Sequence, residues 1–191
     1  MDDVIRLDAR QALPDDVGSA IDDLGKRSAL AQGLRQVITT AARFRSSTDR
    51  IYLTSDYSGL LRVGPRKLFV YDATFQLREC APLCCLDFYV HEARQRHGTG
   101  QALFRAMLRS EGNVEPAGMA YDRPSPKMLS FLAKKFNLRA PMPQANHFTV
   151  FQAFFSDSAP VAVVPRPATS RYRSHDSTGI ADLLQDRFIG V

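Results

Sequence analysis

The chain has 191 residues, 45% of them apolar and 12 of them Phe, which suits one domain with a buried core and excludes a disordered chain. No apolar run approaches the roughly 18 residues of a membrane span, and the acidic start lacks a signal-peptide stretch, so a soluble intracellular protein is expected. The formal charge of +5 is dispersed over short pairs such as Lys26-Arg27, Arg66-Lys67 and Lys134-Lys135; it favours an acidic partner or a phosphorylated cofactor over nucleic acid.

Residues 1–16 read as a flexible lead ending near Pro14. From Val17, apolar residues recur at Ile21, Leu24, Leu30, Ala31 and Leu34, a helical spacing that Gly33 should stop. A shorter helix is expected over Gln36 to Phe44. Ile51 to Thr54, Leu60 to Val63 and Lys67 to Tyr71 read as strands, with a turn at Asp56 to Gly59 and a break at Gly64-Pro65. Leu83 to Val90 is nearly continuous apolar sequence, as a strand buried on both faces requires. Strict alternation along it puts Cys84 on the face of Leu86 and Phe88, and Cys85 with Asp87 and Tyr89. A helix carrying Leu103, Phe104, Met107 and Leu108 ends near Gly112, and Met119 to Asp122 is a short strand. Ser125 and Pro126 then suit the N-cap and first position of a helix that stops near Asn137. His147 to Phe155 reads as a further strand. Residues 156–191 are Pro-, Arg- and Ser-rich and read as a tail, with one short amphipathic helix conceivable over Ile180 to Ile189. Helices, a run of strands, then βα, βα and β indicate an α/β or α+β domain over residues 17–155.

Cys80, Cys84 and Cys85 are an odd, crowded set that makes a poor disulfide framework. Joined to His91 and His97 they would still lack the second Cys pair of a zinc ribbon or finger, and no metal is expected.

The sharpest motif is Gln95-Arg96-His97-Gly98-Thr99-Gly100, lying between a buried strand and an amphipathic helix. Its glycines let main-chain N–H groups approach a ligand, and the helix behind them aims its positive end at the same spot. Such a bend suits a pyrophosphate, with Arg94 and Arg96 available to add charge. It is neither a Walker loop nor the dinucleotide fingerprint. The pattern Q-x-x-G-x-G resembles the acetyl-CoA signature of the GCN5-related N-acetyltransferase superfamily.

The resemblance extends along the chain. Pro82 to Glu92 followed by Gln95-Arg96-His97-Gly98, then Tyr121-Asp122-Arg123-Pro124-Ser125-Pro126-Lys127, Pro143 to Phe148, and Ile21 to Lys26 leading to Ala31-Gln32 are similar in matched order to the α-tubulin N-acetyltransferase family. That similarity implies the GCN5-related fold, a central mixed and mostly antiparallel sheet flanked by helices. It implies transfer of acetyl from acetyl-CoA to a loop lysine of α-tubulin facing the microtubule lumen. It also implies a cytoplasmic, microtubule-associated location that extends to the axoneme of a cilium or flagellum. By the same resemblance, Phe88-Tyr89-Val90-His91-Glu92-Ala93-Arg94-Gln95-Arg96-His97-Gly98-Thr99-Gly100-Gln101 would hold the pyrophosphate. Ser125-Pro126-Lys127-Met128-Leu129-Ser130-Phe131-Leu132-Ala133-Lys134 would hold the rest of the cofactor. Gln32, Cys84 and Asp122 match the three polar positions associated with activity. A monomer is assumed, with neither nucleic acid nor membrane as a partner. Departures at Ala93, Arg94, Thr99 and His147, and a shorter loop after Leu53, bear on the acceptor side more than on cofactor binding.

Chemistry alone leaves each of these residues with a second role. Acetylating a lysine requires a neutral amine, whose ammonium has a pKa of about 10.4. Asp122 can remove that proton if burial raises its pKa, or can merely cap the next helix. Cys84 can be core packing or a proton relay beside Asp122, and Gln32 a surface residue or a group that orients the lysine. Direct attack with both substrates bound needs no acetyl-cysteine. An acetyltransferase for another protein or a small amine, and a non-catalytic microtubule-binding module, are the alternative readings.

Overall fold

The computed structural model describes residues 4–156 and the two-residue strand Ala162–Val163. Among the described residues, ten strands and four α-helices occur in the order β1 (Val4–Asp8), α1 (Asp15–Ala31), α2 (Ala41–Arg45), β2 (Arg50–Thr54), β3 (Gly59–Pro65), β4 (Leu68–Tyr71), β5 (Leu77–Cys80), β6 (Leu83–Val90), α3 (Thr99–Ser110), β7 (Ala120–Asp122), α4 (Pro126–Phe136), β8 (Pro141–Pro143), β9 (Phe148–Phe151) and β10 (Ala162–Val163). Seven strands pair as β1-β2-β3-β6-β7-β9-β8, all antiparallel except β6 with β7. A second sheet pairs β10-β5-β4.

The two faces of the large sheet bury different helices. On one, Tyr52, Leu61, Val63 and Cys85 meet Leu103, Phe104 and Met107 of α3 and Met128 and Leu132 of α4. On the other, Ile51, Leu53, Leu60 and Tyr89 meet Val17, Ile21 and Leu24 of α1 and Phe44 of α2. Four rings, Phe88, Phe104, Phe131 and Phe136, pack edge-on or tilted at 5.0–6.0 Å and tie β6, α3 and α4 together.

Several expectations need correction. Residues 4–8 are not a loose lead: they form the edge strand β1, with Ile5 opposite Leu53 and Leu7 opposite Ile51. Five residues are too few to show a period, and their order comes from the ladder with β2. The segment from Gln36 to Thr40 forms no helix, and only Ala41–Arg45 is helical. Four successive β-branched residues, Val37 to Thr40, disfavour the helix, while Thr40 caps its start by accepting from the Arg43 N–H at 3.1 Å. Gly64-Pro65 are the last two residues of β3, so the break before β4 falls at residues 66–67, two positions later than expected; a Cβ on Gly64 would come 2.1 Å from Asp49 Oδ1, so close approach explains the glycine. The expected strand over 147–155 stops at Phe151 and turns through a 3₁₀ segment, which sends Phe154 into the core. β5 and β8 carry no apolar run; β8 is Pro-Met-Pro at the sheet edge, the place where prolines are tolerated. In the tail, Ala162–Val163 pairs with β5, and the helix considered over Ile180 to Ile189 lies outside the described residues.

Side chains, not a ladder, join the β4–β5 hairpin to the large sheet. Gln144 accepts from the Tyr71 N–H at 2.7 Å and donates to the Tyr71 carbonyl at 3.2 Å, while Asn146 donates to the Phe69 carbonyl at 3.0 Å. Gln144→Ala should cost about 1–2 kcal/mol, roughly two ordinary hydrogen bonds. Hydrogen exchange is the check: the Tyr71 amide should exchange faster, with Ile51 to Leu53 unchanged.

Candidate active site

β6 pairs with β3 along its whole length but with β7 only through Cys84 and Cys85. Immediately beyond, the β3 register jumps: Arg62 faces Asp87 while Val63 faces Cys85, so Leu86 is an extra residue bulged from the ladder. The bulge reverses the side-chain parity expected from alternation. Cys85, not Cys84, shares the α3/α4 face with Phe88, and Cys84 packs with Leu68, Val70, Ala120 and Val150. Where β6 and β7 diverge, a shallow open cleft is lined by Gln32, Cys85, Leu86, Asp87, Phe88, Tyr121, Asp122, Arg123, Pro124, Ser125 and Met128.

At one end of β6 the glycine bend leads into α3. Gly98 caps the helix at φ 89°, a left-handed conformation in which any other residue would be strained. A Cβ on Gly100 would lie 3.2 Å from Phe88 Cζ, so the first turn rests closely on β6. Among the described residues, nothing accepts from the N–H groups of Thr99, Gly100 and Gln101. These orphan donors, with the helix dipole, suit an anion. The bend is fixed at both ends: Gln95 Nε2 donates to the Val90 carbonyl at 2.8 Å and the His91 N–H to the Ser58 carbonyl at 2.7 Å. Arg94 is already engaged with Asp56 at 2.8 Å, whereas Arg96 is exposed. His91 accepts from the Ala93 N–H at 3.2 Å and acts as a cap.

The second expected cofactor segment divides by face. Ser125 caps α4, accepting from the Met128 N–H at 3.2 Å, with Pro126 in the first turn. Met128 and Leu132 are buried, and Phe131 packs in the ring cluster. Lys127, Ser130 and Lys134 are exposed. Any ligand along this helix therefore meets its first turn and exposed stripe, not its core residues.

Arg123 turns the chain from β7 into α4 in a left-handed conformation (φ 40°), leaving Asp122 at the cleft rim. The Asp122 side chain is 28% exposed. Burial pushes its carboxyl above the ordinary range, against the opposing pull of Arg123, Arg66 and His147. Cys84 is fully buried and does not line the cleft; burial pushes its thiol up to about 12. The structure thus brings Gln32 and Asp122 to one cleft and places Cys84 behind them, within electrostatic reach of Asp122.

Three groups beside Gln32 were given no part in the site from the sequence. Asp87, 4% exposed, accepts at Oδ1 from Ser28 Oγ (2.6 Å) and Gln32 Nε2 (3.2 Å), and at Oδ2 from Thr39 Oγ1 (2.6 Å). A charged residue in an apolar strand was the available signal, since buried carboxylates need donors.

The family model described as GNAT acetyltransferase, Mec-17, matches residues 3–179. Alpha-tubulin N-acetyltransferase 1 of Danio rerio is 47% identical over 154 residues, covering 76% of this chain and 52% of the relative. The alpha-tubulin N-acetyltransferases of Tetrahymena thermophila and Trichoplax adhaerens are 42% and 43% identical, with 36% and 69% of their own lengths covered. This chain therefore spans about half or less of the first two. Among solved structures, the xEco2 acetyltransferase domain bound to a K105-CoA conjugate superposes with a TM-score of 0.51 at 12% identity, over 78% of this chain and 90% of that one, a likeness of fold. Matched over most of its length by the family model and by relatives above 40% identity, the chain belongs to the Mec-17 family of GNAT acetyltransferases.

Proposed function

We propose that this protein transfers acetyl from acetyl-CoA to a lysine side chain of α-tubulin, the acceptor being the lumen-facing loop lysine of microtubules. One observation supports this reading above the others: a half-buried carboxyl with a raised pKa, Asp122, stands on the rim of a cleft whose neighbouring helix offers unpaired N–H groups. The relatives carry the name of that activity.

In the proposal, the N–H groups opening α3, together with Arg96, hold the pyrophosphate, and the first turn of α4 borders the rest of the cofactor. Acetyl-CoA supplies the activated acetyl thioester. Asp122 takes a proton from the lysine ammonium, the freed amine attacks the thioester carbon, and the C–S bond breaks as the C–N bond forms. Asp122 passes its proton to solvent, and the second proton lost by the attacking nitrogen goes to the departing thiolate, which leaves as the coenzyme A thiol. Residues 4–155 form the catalytic unit, acting as a monomer on cytoplasmic microtubules with no metal, nucleic acid or membrane required. Among the described residues, no helix is long and apolar enough to cross a membrane.

Cys84 enters as a neutral thiol beside Asp122, because a group pushed up to about 12 stays protonated near pH 7. Cys84→Ala should slow turnover less than removing the Asp122 charge and leave the acidic limb of the pH–rate profile in place. A shifted limb would make the thiol a member of the titrating pair.

Purified protein, acetyl-CoA and microtubules, followed by mass spectrometry of tubulin, provide the test. Acetylation of one α-tubulin lysine, above that of polyamines and histone peptides at equal concentration, supports the proposal. Tubulin binding without turnover would overturn it, as would calorimetry showing no affinity for coenzyme A.

A further inference from the structure

We infer that Asp87 is a positioning residue: through Ser28 it fixes the Gln32 amide so that the carbonyl oxygen faces the cleft and receives the incoming amine. The inference rests on the acetyl-transfer reading above and extends it to a residue outside the reacting groups.

The argument is one of donors and acceptors. Burial raises the Asp87 carboxyl, but hydrogen bonds donated by Ser28, Thr39 and Gln32 pull the other way and suit the carboxylate, which only accepts. The Ser28 hydroxyl gives its single hydrogen to Asp87 Oδ1 at 2.6 Å, so towards Gln32, 2.8 Å away, its oxygen can only accept. Both neighbours of the Gln32 head group, Ser28 Oγ and Asp87 Oδ1, are therefore acceptors, and they require the NH₂ end. A flipped amide would set Oε1 against two lone-pair-bearing oxygens and lose both bonds. With the NH₂ directed inward, Oε1 is the polar atom left to the cleft, and it accepts from no described residue. A lysine amine is a donor, carrying three N–H bonds as the ammonium and two when neutral, so a fixed acceptor suits it.

The backbone under this amide is fixed as well. Gln32 is the C-cap of α1, and beyond it the Gly33 N–H bonds the Leu30 carbonyl at 3.1 Å and the Leu34 N–H the Ala29 carbonyl at 2.9 Å. The second Asp87 oxygen is held by Thr39 Oγ1 at 2.6 Å, which stops the carboxylate from rotating away from Ser28. Ser28, Thr39 and Asp87 are all buried, so water does not compete for these bonds.

A double-mutant cycle with a spectroscopic arm tests this. In the full chain, Asp87→Asn should lower kcat/KM for microtubules roughly tenfold, expressed in the KM for tubulin, with the KM for acetyl-CoA unchanged. Combined with Gln32→Ala, it should cost nothing further. An equal loss in both backgrounds would show that Asp87 acts independently of Gln32 and would overturn the inference. Should Asp87→Asn not fold, Ser28→Ala removes the relay but keeps the carboxylate, and the same non-additivity is expected. NMR of the free protein, with the resonances assigned through Gln32→Ala, should show slowly exchanging Gln32 side-chain amide protons that speed up in the Asp87 or Ser28 variant. Free exchange in the unaltered protein would also overturn the inference. If the unaltered protein fails to acetylate tubulin, the functional reading fails, while the exchange measurement still decides the amide orientation.

Discussion

Asp122→Asn should lower kcat by about 10²–10⁴-fold, the usual worth of a positioned general base, while coenzyme A binds as before. The substitution keeps size and polarity, and the backbone bond from the Arg123 N–H to the His147 carbonyl (3.1 Å) that shapes the rim is untouched. What disappears is the carboxylate at the rim, the proton acceptor of the proposed mechanism. The sign of the pH effect follows from the raised carboxyl pKa. In the proposed mechanism Asp122 acts as the carboxylate, so activity should climb with pH as it deprotonates, with a midpoint above the ordinary carboxylate range. The limb should be absent from the residual activity of the Asn variant. A pH–rate series on the folded protein, with calorimetric titration of coenzyme A, measures both effects. Unaltered turnover would remove Asp122 from the chemistry.

Gly25→Ala should be the most damaging small substitution. The added Cβ would sit 1.9 Å from the Thr39 carbonyl oxygen, a main-chain atom that cannot swing aside as a side chain would. Either α1 or the 37–40 segment must move, and Thr39 then loses its bond to Asp87. Overpacking of this kind costs about 1–3 kcal/mol and the lost bond about 1 more. At roughly 2–4 °C per kcal/mol for a chain of this size, the melting temperature should fall by about 5–15 °C. Acetyl transfer should fall even at temperatures where the variant is folded. Gly18, whose nearest potential contacts are 3.6–3.7 Å away, provides the control on the same helix: Gly18→Ala should melt close to the unaltered protein.

The sequence was most legible where physics is local. β6 runs over Leu83–Val90 as its apolar run indicated, and α4 opens on Ser125 and Pro126 because an N-cap hydroxyl and a fixed φ act within one turn. Gly33 and Asn137 close their helices in left-handed conformations for the same reason. Signals failed where partners are distant. β1 is ordered by β2, more than forty residues on, and β5 is ordered by β4 and β10; neither has a pattern of its own. Of the candidate site, the glycine bend and the place of Asp122 at the cleft mouth could be read directly, because spacing and position before a helix carry them, whereas a part for Asp122 in the chemistry came only through resemblance. Gln32 became meaningful only through resemblance, and Asp87 was overlooked because its donors come from α1 and the segment before α2. Placing Cys84 required knowing where the ladder slips, which depends on the partner strand.

That slip at Leu86 has a consequence for chain length. Counting partners along β3, residues 83–85 and 87–90 each alternate regularly, and removing the one residue between them would leave a continuous ladder with every neighbour on its present side. The hydrophobic surfaces packed against α1 and α3 are therefore indifferent to its presence. It falls where the pairing of β6 with β7 ends, so the residue at the opening of the cleft is one the packing of the strand does not need.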